Sequence, residues 1–195
     1  MWLGPQILAS TVSCGQSRRE QRMQQIRVRA ETPDDYRAID VVHLSAFEGE
    51  AEAQLVAELR KSPLFIPDLS LVAELNGRIV GHVVLTRVDL LHEGEHREIL
   101  ALGPMSVVPS QSHRGIGSAL IDAAVARARQ LCFSAIVVAG HPDYYLRFGF
   151  KPASEWGLGC NLDVPEDALT AMALDEGALA GGGRVEYPDI FRALF

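Results

Sequence analysis

The segment Val107-Val108-Pro109-Ser110-Gln111-Ser112-His113-Arg114-Gly115-Ile116-Gly117-Ser118 constrains this chain more than any other. A strand-like run ends at a proline that cannot extend a hydrogen-bonded ladder, and two glycines then open a helix. The first amides of a helix have no internal partner, and the helix dipole leaves partial positive charge there. Glycine lets the backbone approach closely, so several amides can converge on a phosphate. His113 and Arg114 add local donors and charge. The same spacing also suits a plain strand–helix connection in which glycine only relieves crowding. Two familiar phosphate loops fit badly. A dinucleotide fingerprint wants a third glycine where Leu120 stands, and a Walker A loop wants Gly-Lys-Ser/Thr, which is absent.

The chain has 195 residues, 48% apolar and 22% charged, which suits one globular domain and excludes a disordered or collagen-like chain. A net charge of −7 repels phosphate polymers, so the expected partners include no nucleic acid. Cys14, Cys132 and Cys160 form no CxxC pair, which argues against a disulfide framework or a cysteine-rich zinc site and fits a reducing cytoplasm. No run approaches the roughly 18 apolar residues of a membrane span, so no membrane partner is expected. Residues 1–25 read as a loose N-terminal extension, almost wholly polar from Gln16 to Gln25, and the domain as 26–195.

Within the domain, Ile26-Arg27-Val28-Arg29 alternates like a strand, and Thr32-Pro33-Asp34-Asp35 supplies a cap, a first-turn proline and an acid. The periodicity predicts a helix burying Tyr36, Ile39, Val42 and Ala46, then a second carrying Leu55, Val56 and Leu59. Strands Leu71–Leu75 and Arg78–Val88 flank Asn76-Gly77, a dipeptide that accepts positive φ in a tight hairpin. A strand over 99–108, a helix over 117–131 and a buried strand over 135–139 should form a parallel β-α-β unit. A short helix over 143–148, a strand over 169–174, a turn at Gly181-Gly182-Gly183 and a helical tail after Pro188 complete the chain. His43 reads as a helix-surface residue and His82 as a strand residue.

His92-Glu93-Gly94-Glu95-His96 matches the H-E-x-x-H pattern of zinc hydrolases. That pattern needs a helix to bring both imidazoles to one face. Here it lies between strand-like runs with glycine at its centre, so a hairpin turn is expected and no metal.

Val107-x-Pro109, then Arg114-Gly115-Ile116-Gly117-Ser118-Ala119-Leu120, then Tyr145-Leu146-Arg147-Phe148-Gly149-Phe150-Lys151-Pro152 resembles the GNAT superfamily of N-acetyltransferases. The stretch from His141-Pro142-Asp143-Tyr144-Tyr145 through Gly157-Leu158 and Val164-Pro165-Glu166 is similar to its YhbS-like branch of small bacterial predicted acetyltransferases. The resemblance implies an α/β single-domain fold: a mixed, mostly antiparallel sheet with a central parallel β-α-β unit, flanked by helices. It implies acetyl-CoA as co-substrate, no metal, and direct transfer to a small-molecule or peptide amine by a monomer or homodimer. On the same resemblance, the backbone of Met105, Ser106 and Val107 pairs with the pantetheine arm. Amides from His113, Arg114, Gly115, Ile116, Gly117 and Ser118 hold the pyrophosphate, and Tyr145 protonates the leaving thiolate. Ser112 stands where the family usually has glutamine or arginine, with Gln111 one position early, and the family's asparagine ahead of the tyrosine is absent.

The chemistry asks for three things: a neutral amine, a polarised carbonyl and a proton for sulfur. A phenol of pKa ~10 can serve a thiolate whose conjugate acid lies near ~8.5. Neutralising a lysine-like amine at pH 7 costs about 4.6 kcal/mol, against about 1 kcal/mol for an α-amine. Candidate bases are Glu48, Glu50, His141, Asp143 or water. A non-catalytic acyl-CoA-binding or sensing module on the same fold is the rival reading.

Overall fold

The structure, a computed structural model, describes residues 26–194. The extension expected over 1–25 lies outside the described residues. In chain order the regular elements are β1 (Arg27–Ala30), α1 (Tyr36–Ala46), α2 (Ala51–Leu59), β2 (Phe65–Leu75), β3 (Arg78–His92), β4 (Glu95–Val107), α3 (Ile116–Gln130), β5 (Ala135–Ala139) and α4 (Pro142–Leu146). After these come β6 (Lys151–Pro152), β7 (Leu158–Cys160), β8 (Leu169–Ala173) and β9 (Gly183–Glu186). The strands form one sheet in the order β1-β2-β3-β4-β5-β8-β6, with β9 paired to both β3 and β7. All pairings are antiparallel except β4–β5 and β7–β9. This is the mixed α/β architecture expected from the sequence, including the parallel β4-α3-β5 unit.

Each face of the sheet carries its own core. On one, α3 lays Ile116, Leu120, Ile121, Ala124 and Ala128 on Leu71, Val83, Leu85, Leu100 and Ile136. The i, i+4 spacing of those helix residues keeps them on a single stripe. On the other, Ile39 of α1 and Leu55, Val56 and Leu59 of α2 pack on Val72, Val84, Val88, Ile99 and Ala101. Tyr187, and Phe191 from the 3-10 turn that follows it, close that side.

The hairpin at Asn76-Gly77 forms with φ of +53° and +75°, and its strands run further than the sequence suggests, to Phe65 and His92. Glu93-Gly94 makes the next turn, with His92 opposite Glu95 and Leu91 opposite His96 in the β3–β4 ladder. The H-E-x-x-H look-alike is therefore strand, turn and strand. Among the described residues no group of three or more His, Cys, Asp or Glu is placed to hold a metal, and no helix is long and apolar enough to cross a membrane.

Helix α1 departs from its expected stripe. Ile39 and Val42 are buried, but Ala46 is exposed and Tyr36 lies at the surface, 36% exposed. The Arg60 guanidinium covers the Tyr36 ring at 3.9 Å from its centroid, a cation–π contact that holds the ring without burying it. His43, expected on the helix surface, is 1% exposed. It takes the third inward position of α1 because polar partners on the sheet wait beneath it. The tail after Pro188 is a 3-10 turn, Asp189–Ala193, and Gly183 already belongs to a strand, not to the glycine turn.

Candidate active site

Strands β4 and β5 pair only at Leu100 with Ile136 and Ala101 with Val137. Beyond that they part, because β4 carries an irregularity: Val83 faces Met105 while Leu85 faces Leu102. The unpaired edge of β4 from Leu102 onward borders two cavities.

The first, about 450 Å³, lies at the start of α3. Its walls include Val107, Gln111, His113, Gly115 to Ser118, Tyr144 and Arg147. The turn is built by left-handed backbone at His113 (φ +63°) and Gly115 (φ +78°), the latter capping α3. The Ala119 N–H bonds the Gly115 carbonyl at 2.9 Å, so the amides before it precede the helical ladder and remain available to a ligand. Gly117 is required by contact: the Tyr144 hydroxyl fills the place of a Cβ there. Arg114 is exposed and does not line this cavity. Gln111 and Arg147, to which the sequence assigned no role, do. The side-chain oxygen of Gln111 is buried without a partner.

The second cavity, about 390 Å³, lies in the fork between the strands. Leu102 to Met105 form one side and Ala139 to His141 another, with Tyr144 and Tyr145 between them. Phe47 and Glu52 come from the α1–α2 side, and Tyr187, Phe191 and Leu194 from the end of the chain. Tyr144 lines both cavities and meets the Tyr145 ring edge-on at 5.4 Å. Tyr145 in turn packs against the buried Phe150 at 5.7 Å. Burial pushes the Tyr145 hydroxyl well above its ordinary range, so it stays protonated as a potential donor.

Met105 and Val107 thus border the two cavities, one at each end of the strand segment the sequence singled out. Ser106 between them is 4% exposed and turns its side chain to the opposite face, toward His43. Of the candidate bases, His141 lines the fork. Glu48, Glu50 and Asp143 are exposed and outside it, whereas Glu52, the second residue of α2, is inside. Composition and spacing could not single out Glu52 from its acidic neighbours, since only the angle at which α2 docks decides which acid faces inward.

A parallel strand pair that splays beside a glycine-capped helix matches what the sequence comparison finds. Residues 27–153 match the family described as the acetyltransferase (GNAT) domain. The chain belongs to the GNAT acetyltransferase family. It is 32% identical over 166 residues to the uncharacterised N-acetyltransferase YhbS of Escherichia coli K12, covering 84% of this chain and 97% of that protein. The crystal structure of E. coli YhbS in complex with CoA superposes with a TM-score of 0.80 at 31% identity, over 86% of this chain and 92% of that one. A GNAT family acetyltransferase from Brucella melitensis, solved with acetyl-CoA, gives a TM-score of 0.69 at 29% identity, over 86% and 99%. Both the superfamily and the YhbS-like branch read from the motifs are borne out.

Proposed function

We propose that this protein transfers an acetyl group from acetyl-CoA to a primary amine by direct attack, with no covalent enzyme intermediate. The observation that carries this reading is the pair of cavities meeting at Tyr144 along the unpaired edge of β4. One is lined by free amides suited to a diphosphate, and the other is an apolar fork suited to a thioester and its acceptor. The CoA and acetyl-CoA complexes of the two structural relatives support the same occupant here.

In this reading the amides of His113 to Ser118 hold the pyrophosphate, and Arg147 adds the positive charge that Arg114 is not placed to give. The backbone of Met105, Ser106 and Val107 completes a ladder with the pantetheine amides, using hydrogen-bonding groups left over where β5 departs. The acceptor amine enters from the side of Phe47, Glu52 and Phe191. Glu52, directly or through water, takes the ammonium proton, a step worth about 4.6 kcal/mol for a lysine-like amine at pH 7. Attack on the thioester carbonyl forms the new C–N bond. Collapse breaks the C–S bond, Tyr145 gives its proton to the departing sulfur, and the proton shed by the newly acylated nitrogen restores the phenol. A cytoplasmic location suits this chemistry.

Two measurements test the reading. Acetyl-CoA should raise the melting temperature, and a panel of amines should release CoA thiol. No thermal shift overturns the reading, and binding without turnover on any amine leaves a sensing module instead.

A further inference from the structure

The polar groups beneath α1 form one continuous chain. Arg60 donates to the Glu31 carboxylate through Nε at 2.8 Å and Nη2 at 2.9 Å. His82 Nε2 lies 3.2 Å from Glu31 Oε2 and 2.9 Å from Ser70 Oγ. His82 Nδ1 meets His43 Nε2 at 2.9 Å, and His43 Nδ1 meets Ser106 Oγ at 3.1 Å. His43, Ser70, His82 and Ser106 are at most 4% exposed, and the Glu31 side chain is 3% exposed.

The order of protons starts from the groups around His82 Nε2. An ionised carboxylate only accepts, so the nitrogen 3.2 Å from Glu31 carries a hydrogen rather than a lone pair, and it gives that hydrogen to Ser70 Oγ, its hydrogen-bond partner at 2.9 Å. A neutral imidazole then has a bare Nδ1, which obliges His43 to donate from Nε2. His43 in turn has a bare Nδ1, which obliges Ser106 to donate its hydroxyl inward. Burial holds both imidazoles neutral, with folded pKa values below the ordinary histidine value.

Ser106 stands on the stretch of β4 that has lost β5 as a neighbour and keeps only β3, where it faces His82 in register. The hydroxyl bond to His43 is thus a second restraint on the segment proposed to hold pantetheine. The same imidazole stacks on Phe47, at 6.0 Å between centroids and 10° between planes, and Phe47 lines the fork.

We propose that Glu31, His82 and His43 form a proton-directed positioning relay that sets Ser106 on the acetyl-CoA strand and Phe47 on the acceptor wall. They are positioning residues, since none lines either cavity. The inference rests on the acetyl-CoA reading for its output, but the proton order can be tested without any ligand.

Long-range 15N–1H spectra of the free full-length protein at pH 7 should show both histidines neutral with the hydrogen on Nε2. A hydrogen on Nδ1 of either ring overturns the relay. Ser106→Ala should raise the acetyl-CoA KM about fivefold, the scale of one ordinary hydrogen bond, and leave kcat less affected. Ser106→Thr, which keeps the hydroxyl, should restore most of that loss. A Ser106→Ala variant with a lower melting temperature but an unchanged KM reduces the chain to packing and overturns the proposal. Glu31→Gln should scramble the His43 tautomer, and an unaltered tautomer in that folded variant also overturns it. Failure of the wild type to bind acetyl-CoA removes the acetyltransferase reading together with the relay's output. Normal binding with an indifferent Ser106→Ala removes the relay alone.

Discussion

The hydroxyl of Tyr144 rests against the α-carbon of Gly117, so a residue of α4 closes directly on the first turn of α3. A methyl group at position 117 cannot coexist with that hydroxyl. Gly117→Ala should push Tyr144 into the path between the two cavities and weaken acetyl-CoA binding by about tenfold, the scale of a modest overpacking cost. Adding Tyr144→Phe should recover part of that loss in a calorimetric titration. Equal weakening in the single and double variants would show that the clash is not the cause.

Tyr145→Phe removes the proposed proton donor while keeping the ring that packs on Phe150. Thiol release should fall by about 10²-fold or more, and the acetyl-CoA-induced rise in melting temperature should persist. Wild-type turnover in this variant would move the donor role to another group, with Tyr144 next in line.

The buried histidines make stability depend on acid. Burial, and next the neighbouring His82, lower the His43 pKa from 6.5 to about 3, and His82 shifts in the same direction. Glu31, Arg60 and Asp40 also face this pair, the carboxylates favouring the charged rings and Arg60 opposing them. Between pH 6.5 and 3 the unfolded chain binds protons that the native state refuses. The stability is therefore complete above pH 6.5 and declines as pH falls, by up to about 1.4 kcal/mol per unit for each group. Burial alone would raise the Glu31 carboxyl, but hydrogen bonds from His82 and Arg60 outweigh it and bring it from 4.5 to about 2. Its share is lost below pH 4.5. Urea midpoints should drop steadily from pH 7 to 4, and a flat profile from 7 to 5 would contradict neutral burial.

Arg60 joins the end of α2 to Glu31 through two hydrogen bonds, with side chains 9% and 3% exposed. Arg60→Ala strands a buried carboxylate and should cost about 3–5 kcal/mol of unfolding free energy. Arg60→Met with Glu31→Gln should recover much of it, as a desolvated pair replaced on both sides often does. If the single variant unfolds at the wild-type urea concentration, water reaches Glu31 and the site is wetter than its burial implies.

Features decided by neighbouring residues were legible in the sequence. Asn76-Gly77, Glu93-Gly94 and Gly115 each turn the chain through backbone angles set within two or three residues, and the strand–turn–helix around Gly115 announced the first cavity. What stayed hidden depended on partners far along the chain. His43 meets His82 and Ser106, 39 and 63 residues away, so a pattern that ranks histidine as polar places it on the surface. Strand β9 has four residues and gains its place only by pairing with β3 and β7. The start of β2 was missed because Pro67 and Asp68 interrupt the apolar run, and the β2–β3 ladder is itself irregular between Phe65 and Ser70. Glu52 was passed over for the same reason as His43: the docking of a whole helix, not local spacing, turned it inward.

Tyr187, Phe191 and Leu194 wall the fork, yet all three lie beyond residue 153, where the family match stops. In the proposed reading, residues 27–153 hold the donor and lend Phe47 and Glu52 to the recipient's side, while the rest of that wall is encoded after them. On that reading, a lineage that replaced the stretch after residue 153 would recast one side of the recipient's wall and leave the proposed diphosphate turn in place. Grafting this stretch onto a relative should shift that protein's taste in amines, with the side built by Phe47 and Glu52 left unchanged.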